Sequence, residues 1–315
     1  MKIAFIGNFE AEFSSENYYL KTFLSLGHEV ITIQENKCRI SDIWPTSVKY
    51  DMLFWVHTHG WDIGRDKGVT TSLLKELKKL GIPTVGYHLD LWLGLQRERD
   101  LKSDPYWNIE HFFTVDKLMA DYLNNETTTK GHFLPPGVPE SECFIGTPNL
   151  KKYPHEIIFT GSKNYHPEHK YRGQLIDWLH RTYGDRFAHY GGGGKETIRG
   201  KELNDLYASA KIVVGDTLCK NFTYPYYVSD RFFEVPGRGG FMIFPYITGT
   251  DQWLEPNEEV VFYEYGDFTD LSRKIDHYLS DEKNREEIRL KGFERCKAEH
   301  TYRHRIEHIF KTIFG

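Results

Sequence analysis

The stretch Val228-Ser229-Asp230-Arg231-Phe232-Phe233-Glu234-Val235-Pro236-Gly237-Arg238-Gly239-Gly240-Phe241-Met242-Ile243 decides how this chain of 315 residues reads. Its order is a helix with a carboxylate inside it, a glycine stop, then a short apolar strand. Ser229 or Asp230 is suited to cap the helix start by accepting a backbone N–H bond. Gly239 and Gly240 are suited to end it, because glycine takes positive φ at little steric cost. Phe241 to Phe244 is a short apolar run of the kind found in buried strands. Arg231 at the helix start adds a guanidinium to free N–H groups and a positive dipole end, a combination that suits a phosphate. Glu234, one turn further in, is either a hydrogen-bond acceptor for hydroxyl groups or an exposed helix carboxylate.

Working outward, the same strand–helix alternation fills the chain. Strands are predicted at Lys2–Ile6, His28–Gln34, Met52–His57, Pro83–Tyr87, Phe112–Val115 and His132–Leu134, with helices over Ser15–Leu26, Val69–Leu80 and Asp116–Leu123. The run Pro135-Pro136-Gly137-Val138-Pro139 breaks the pattern, and residues 140–154 read as a linker. A second cycle begins at Glu156-Ile157-Ile158-Phe159-Thr160-Gly161. It continues through a helix at Gly173–Tyr183, a strand at Phe187–Tyr190, a helix at Glu202–Ala210 and strands at Ile212–Val214, Phe241–Phe244 and Val260–Tyr263. From about Thr269 the chain is helical. Such alternation argues for an α/β protein with parallel sheets, organised as residues 1–145, 146–300 and a last helix over 301–315.

Composition bounds the function. The chain carries a net charge of −5 besides fifteen histidines, so no general attraction to nucleic acid or anionic lipid follows. No run of eighteen apolar residues suggests a membrane span, and Met1-Lys2-Ile3-Ala4-Phe5-Ile6-Gly7 reads as a first strand rather than a signal peptide. Cys38, Cys143, Cys219 and Cys296 lack metal-type spacing and read as reduced thiols of a cytoplasmic protein.

The signature stretch resembles that of GT-B glycosyltransferases, and among them that of CgeB-like bacterial and phage chains. Retaining GT-B families show Glu-x7-Glu followed by a small-residue helix and a glycine. Glu234 falls on the second Glu and Gly239 on the glycine, while Tyr226 stands where the first Glu would be. CgeB-like chains instead place Arg or Lys shortly before the Glu, as Arg231 does. Gly249-Thr250-Asp251-Gln252-Trp253-Leu254, Val260-Val261-Phe262-Tyr263 and His300-Thr301-Tyr302 with Arg305 extend the likeness over roughly residues 155–310. The resemblance implies two Rossmann-like domains facing a central cleft, with the last helix crossing back to the first domain. It also implies transfer of a sugar from a nucleoside-diphosphate sugar, UDP-sugars favoured, to an acceptor hydroxyl. Non-hydrolysing epimerases share this architecture, so a nucleotide-sugar epimerase or hydrolase, or an inactive nucleotide-sugar binder, is the competing reading.

The departing diphosphate must be stabilised, either by a metal on an Asp-x-Asp motif or by fixed cations and backbone donors. No Asp-x-Asp occurs, so a metal-free and cofactor-free site is expected. In retaining families an Arg/Lys pair near the first strand of the second domain binds the diphosphate. Lys163 and Arg172 match it, with Arg231 and Lys220 behind them; each alone reads equally well as a solvated loop cation. Gly161, Gly191, Val228 and Ser229 complete the expected donor site, and Glu234 takes the ribose role. The run Gly191 to Gly194 either lets backbone approach the nucleotide or forms a flexible surface loop. On the acceptor side, Asp90 matches the aromatic-x-Asp segment of CgeB-like chains, and His59 follows another strand end; either can orient or deprotonate a hydroxyl. Gly7, His57 and His88 are expected along the same cleft. The acceptor stays open among a glycan, a protein and a modified DNA base, and the aromatic residues Trp61, Trp92, Tyr106 and Trp107 read as stacking platforms or as core.

Overall fold

The computed structural model describes residues 1–61, 63, 66–101, 103–166, 168–217 and 221–315. The chain divides into two compact units, Met1–Pro135 with Tyr302–Gly315, and Pro136–Thr301.

The first unit holds β1 (Lys2–Gly7), α1 (Ser15–Ser25), β2 (Glu29–Gln34), β3 (Met52–Trp55), α2 (Lys67–Lys79), β4 (Thr84–His88), β5 (His111–Thr114), α3 (Lys117–Glu126) and β6 (Lys130–Phe133). Its strands form one sheet in the order β2-β1-β3-β4-β5-β6. Every pairing is parallel, with Ile3 opposite both Val30 and Met52. Parallel strands covered on both faces carry apolar runs, as in β1 and β3, where Phe5 and Phe54 are fully buried. Side-chain oxygens start the helices: Ser14 accepts from Asn17 N, Asp66 from Gly68 N and Val69 N, and Asp116 from Met119 N.

The second unit holds β7 (Ile157–Thr160), α4 (Tyr171–Tyr183), β8 (Phe187–Tyr190), α5 (Lys201–Ser209), β9 (Ile212–Val214), α6 (Arg231–Gly237), β10 (Met242–Pro245), β11 (Val261–Tyr263), α7 (Phe268–Ser280) and α8 (Glu282–Glu299). Its sheet is again parallel, in the order β11-β10-β9-β7-β8.

The last helix, α9 (Tyr302–Phe314), belongs to the first unit, as the sequence led us to expect. Tyr302 stacks on Tyr19 of α1 with ring centroids 4.2 Å apart, and Arg305 Nε donates to the Pro135 carbonyl at 2.9 Å. Ile306 and Ile309 are buried beneath it. Among the described residues no helix is long and apolar enough to cross a membrane.

Candidate functional site

In an open parallel sheet, ligands bind beyond the carboxyl ends of the strands, where consecutive connections leave in opposite directions. In the second unit that point lies between β7 and β9, because the chain runs from β7 to β8 on one side and then returns to β9 on the other. The residues just past these two strands are Gly161 to Lys170 and Gly215 onward.

At the first edge, Gly161 (φ +129°) turns the chain in a conformation that L side chains rarely adopt. Its N–H donates to the Tyr190 carbonyl at 2.8 Å, and its own carbonyl faces His189 Nε2 at 2.6 Å. Gly191 (φ +127°) lies so close that a Cβ there would sit 2.5 Å from the Gly161 carbonyl oxygen. The glycine run is a hydrogen-bonded turn: Gly191 N donates to the Lys195 carbonyl, Gly194 N to the Gly191 carbonyl, and Lys163 N to the Gly192 carbonyl at 2.8 Å. The two glycine-bearing strand ends are therefore fastened to each other.

Arg231 reaches the same place from the signature stretch. Its Nε donates to the Thr160 carbonyl at 2.6 Å. Its guanidinium lies over Gly161, where a built Cβ would be 3.0 Å away. The local sequence explains how α6 presents it. Pro236 has no N–H to give the fourth carbonyl behind it, and α6 stops after seven residues. Gly239 (φ +77°) then closes the helix: Gly240 N donates to the Val235 carbonyl and Gly239 N to the Pro236 carbonyl, each at 2.8 Å. The expected cap is corrected. Asp230 already has helical backbone angles (φ −48°, ψ −33°) and its side chain makes no capping bond. The Ser229 hydroxyl instead donates to the Asp216 carbonyl at 3.2 Å, pinning the signature stretch to the end of β9. Val228 is buried in the core below.

Glu234 lies one turn into α6 with its side chain 21% exposed, 3.8 Å from Arg238 Nη2. Arg238 is buried, and its Nη1 is held by Glu142 at 3.0 Å, Asn204 at 2.6 Å and the Gly200 carbonyl at 3.2 Å. Lys163 Nζ pairs with Asp177 at 2.5 Å.

Arg172 is placed differently from a solvated loop cation: it is 2% exposed. Its Nε donates to Asp216 Oδ2 at 2.9 Å and its Nη1 to the Ser162 carbonyl at 3.2 Å. His169 Nε2 stands 3.3 Å from the same carboxylate oxygen. Asp216, a residue the sequence reading passed over, thus ties the connections after β7 and β9 together. A buried ion pair of this kind needs its remaining polar atoms satisfied, yet Arg172 Nη2 and Asp216 Oδ1 have no hydrogen-bond partner among the described residues. His169 also lines a cavity of about 250 Å³ together with Lys170, Tyr171, Gln174, Asn221 and Phe222. Lys220 lies outside the described residues.

In the first unit the corresponding point lies between β1 and β3. Asp90 follows β4, and its Oδ2 is 3.4 Å from both Nη1 and Nη2 of Arg97. His59 is exposed, edge-on to Trp92 with centroids 5.0 Å apart. Burial lowers its pKa, and Arg97 adds to this, so at neutral pH it is an uncharged acceptor or donor. His57 and His88 are both buried. Trp92, Tyr106 and Trp107 are core residues packed around His88, the two tryptophans edge-on to it and Tyr106 tilted, which decides against surface platforms at those three positions.

Residues 172–311 match the family model of glycosyl transferase-like proteins. The chain is similar to a solved alpha-glucosyltransferase in complex with UDP and a 13-mer DNA containing a HMU base, at 13% identity and a TM-score of 0.70, covering 100% of each chain. It is similar to Anabaena HepE in complex with UDP-glucose, at 12% identity and a TM-score of 0.66, over 99% of this chain and 98% of that one. It is also similar to the lipopolysaccharide outer core galactosyltransferase WaaB, at 12% identity and a TM-score of 0.59, over 100% of this chain and 99% of that one. No curated protein matches the sequence. At such identities the likeness is one of fold, and that fold is GT-B.

Proposed function

From a GT-B fold of the glycosyltransferase group 1 type, we propose that this protein transfers a sugar from a nucleoside-diphosphate sugar, a UDP-sugar in first place, to an acceptor hydroxyl. The observation that carries the reading is the Arg231 guanidinium lying over Gly161 at the carboxyl edge of β7. A diphosphate there meets a fixed cation and a backbone with no side chain in the way, and such preorganised charge stabilises a leaving group without rearrangement. Lys163, near enough to share the Gly192 turn, is the second cation. Arg172 acts from beneath, through Asp216 and the Ser162 carbonyl that it holds. Glu234 receives ribose hydroxyls, and Gly191 keeps the backbone low enough for the nucleotide to approach.

In this reading the bond from the sugar C1 to the diphosphate oxygen breaks and a bond from C1 to the acceptor oxygen forms. The acceptor proton passes to the departing diphosphate, so configuration is retained and no separate base is needed. Arg231 and Lys163 do the electrostatic work, and no metal is required. The acceptor is a glycan, a protein or a modified DNA base; the DNA in the alpha-glucosyltransferase complex keeps the last of these in view. A cytoplasmic setting accords with the scattered thiols. The narrower likeness to CgeB-like chains rests on Arg231 and Asp90.

Titration calorimetry of the protein with UDP, with and without a chelator, tests the proposal. Binding that survives the chelator and weakens in Arg231→Gln by about 10- to 100-fold is expected, the usual cost of one charged hydrogen bond. Binding that disappears with the chelator overturns the metal-free site, and no binding of any nucleoside diphosphate overturns the donor assignment.

A further inference from the structure

Three ionisable side chains, apart from the donor crevice, form a chain at the carboxyl edge of the first sheet. Glu35 is the first residue past β2, His57 the second past β3, and Asp104 lies in the connection from β4 to β5. Glu35 Oε1 accepts from Trp55 Nε1 at 2.8 Å and lies 2.5 Å from His57 Nδ1, while its Oε2 accepts from Thr58 N at 2.8 Å. On the far side of the ring, His57 Nε2 stands 3.5 Å from Asp104 Oδ2. Asp104 Oδ1 accepts from Tyr106 N at 3.0 Å. Side-chain exposure rises along the chain, from 0% at Glu35 and 1% at His57 to 12% at Asp104.

The placement matters because β1 lies between β2 and β3. Glu35 and His57 therefore flank the point of the first sheet where ligands are received. The Asp104 contact is an ion-pair distance without a formed hydrogen bond, and a ring set between two carboxylates favours its imidazolium form. Within the chain of three, two carboxylates and one imidazolium leave a single net negative charge; its outermost holder is Asp104, which also feels the Lys67 cation. The carboxylate retains lone pairs beyond the one given to Tyr106 N. Such a group accepts from a hydroxyl donor and has no N–H or O–H to offer a phosphate.

We propose that Asp104 receives the acceptor hydroxyl, that Glu35 and His57 are the positioning residues behind it, and that the acceptor presents a neutral sugar hydroxyl rather than one flanked by phosphates. This rests on the glycosyltransferase reading above. The acceptor O–H donates to the Asp104 carboxylate on binding; in the transfer step that proton turns from Asp104 to the departing diphosphate, as in the reaction above, and Asp104 ends unprotonated. Burial raises the Asp104 pKa, but His57 more than offsets this and holds it below the usual carboxylate range, which suits orienting a hydroxyl better than deprotonating it.

The test uses the full chain with UDP-glucose, UDP-galactose and UDP-N-acetylglucosamine as donors. Glucose, maltose and a hydroxymethylated DNA duplex serve as acceptor probes. Asp104→Asn and Asp104→Ser both retain a side chain able to cap the following turn, and thermal melting checks that they fold. Expected is transfer to a free sugar whose kcat/KM falls about 10- to 100-fold in both variants, mainly through the acceptor KM. UDP affinity and donor hydrolysis should stay at wild-type levels, and His57→Gln should show a smaller defect of the same kind. Wild-type acceptor KM in the Asp104 variants overturns the role of Asp104. Wild-type transfer to the duplex alone, or hydrolysis with no transfer to any probe, overturns the neutral-sugar assignment. A chain that neither binds nor turns over any of the donors overturns the glycosyltransferase reading instead.

Discussion

Glu234 shows how one carboxylate can be tested without disturbing what it stands on. Its partner Arg238 keeps Glu142, Asn204 and the Gly200 carbonyl on Nη1 when Glu234 is changed. Glu234→Gln should therefore leave the melting temperature close to wild type while weakening UDP-sugar binding by roughly 1.5–3 kcal/mol, the range for a hydrogen bond to a charged group. Wild-type affinity by calorimetry moves Glu234 out of the donor site. Gly191 is the opposite case, where the backbone itself is committed. At φ +127°, with a Cβ destined for a point 2.5 Å from the Gly161 carbonyl oxygen, Gly191→Ala cannot be accommodated by a rotamer change. A loss of at least about 1–3 kcal/mol is expected from backbone strain, read as a lower urea midpoint and reduced amide protection in β7 and β8. Unchanged protection there would show that the turn relaxes freely. The convergence of Gly161, Gly191 and Arg231 at the end of β7 was legible because each sits in or beside a local pattern. Asp216 and Arg172 were not legible as a pair, since 44 positions separate them and only the strand order brings them together. The same holds for Glu35 and Asp104, which carry no motif and gain meaning only from lying beside His57.

At the scale of elements, the carboxyl edge of the first sheet carries two buried histidines with opposite charge habits. Burial pulls the His57 pKa down, but the Asp104 and Glu35 carboxylates outweigh it and lift the value to about 9 from 6.5. His88, enclosed by Trp92, Trp107, Tyr106 and Phe112, is driven by burial to about 3, against a weak upward pull from Asp90. Arg97, His57 and His59 add small downward pulls on His88. The His57 contribution is complete below about pH 6.5 and is lost as pH rises through about 9. The His88 contribution is present above about pH 6.5 and is lost as pH falls toward 3. Stability of the first unit should thus peak near neutrality, with an alkaline limb on the order of 3 kcal/mol from His57. Melting curves of the wild type and His57→Gln between pH 6 and 9.5 check this. The wild type should lose melting temperature across that window and the variant should not; parallel curves would remove His57 as the cause. Neither limb was foreseeable from periodicity, which placed the strands and not the contacts at their ends. The strands themselves were legible because parallel, doubly covered segments such as Met52–Trp55 leave an unbroken apolar run, and the end of α6 was legible from Gly239, whereas the cap at its start was not, because Asp230 already takes helical angles.

For the whole molecule, the order of the chain has consequences for how the units are completed. The second unit is one continuous segment, Pro136–Thr301, whereas the first is closed only by α9 after that segment has been made. The closing contacts are specific: Tyr302 on Tyr19, Phe310 edge-on to Phe23 at 6.0 Å, and Arg305 on the Pro135 carbonyl. Ile306 is fully buried among them. Truncating a buried isoleucine to alanine costs roughly 2–5 kcal/mol through lost transfer energy and the cavity left behind. In Ile306→Ala that cost should fall on the first unit. Hydrogen exchange should accelerate in β1 and α1 while β7, β9 and β10 keep wild-type protection, and UDP binding should persist because its proposed residues all lie within Pro136–Thr301. Acceleration that spreads equally to β7 and β10 would mean that the units unfold as one cooperative block. Confinement to β1 and α1 would mean that the carboxyl edge of β7 and β9 holds its shape on the strength of its own fastenings, the Gly161–Gly191 turn and the Arg172–Asp216 pair, whatever happens to the first unit.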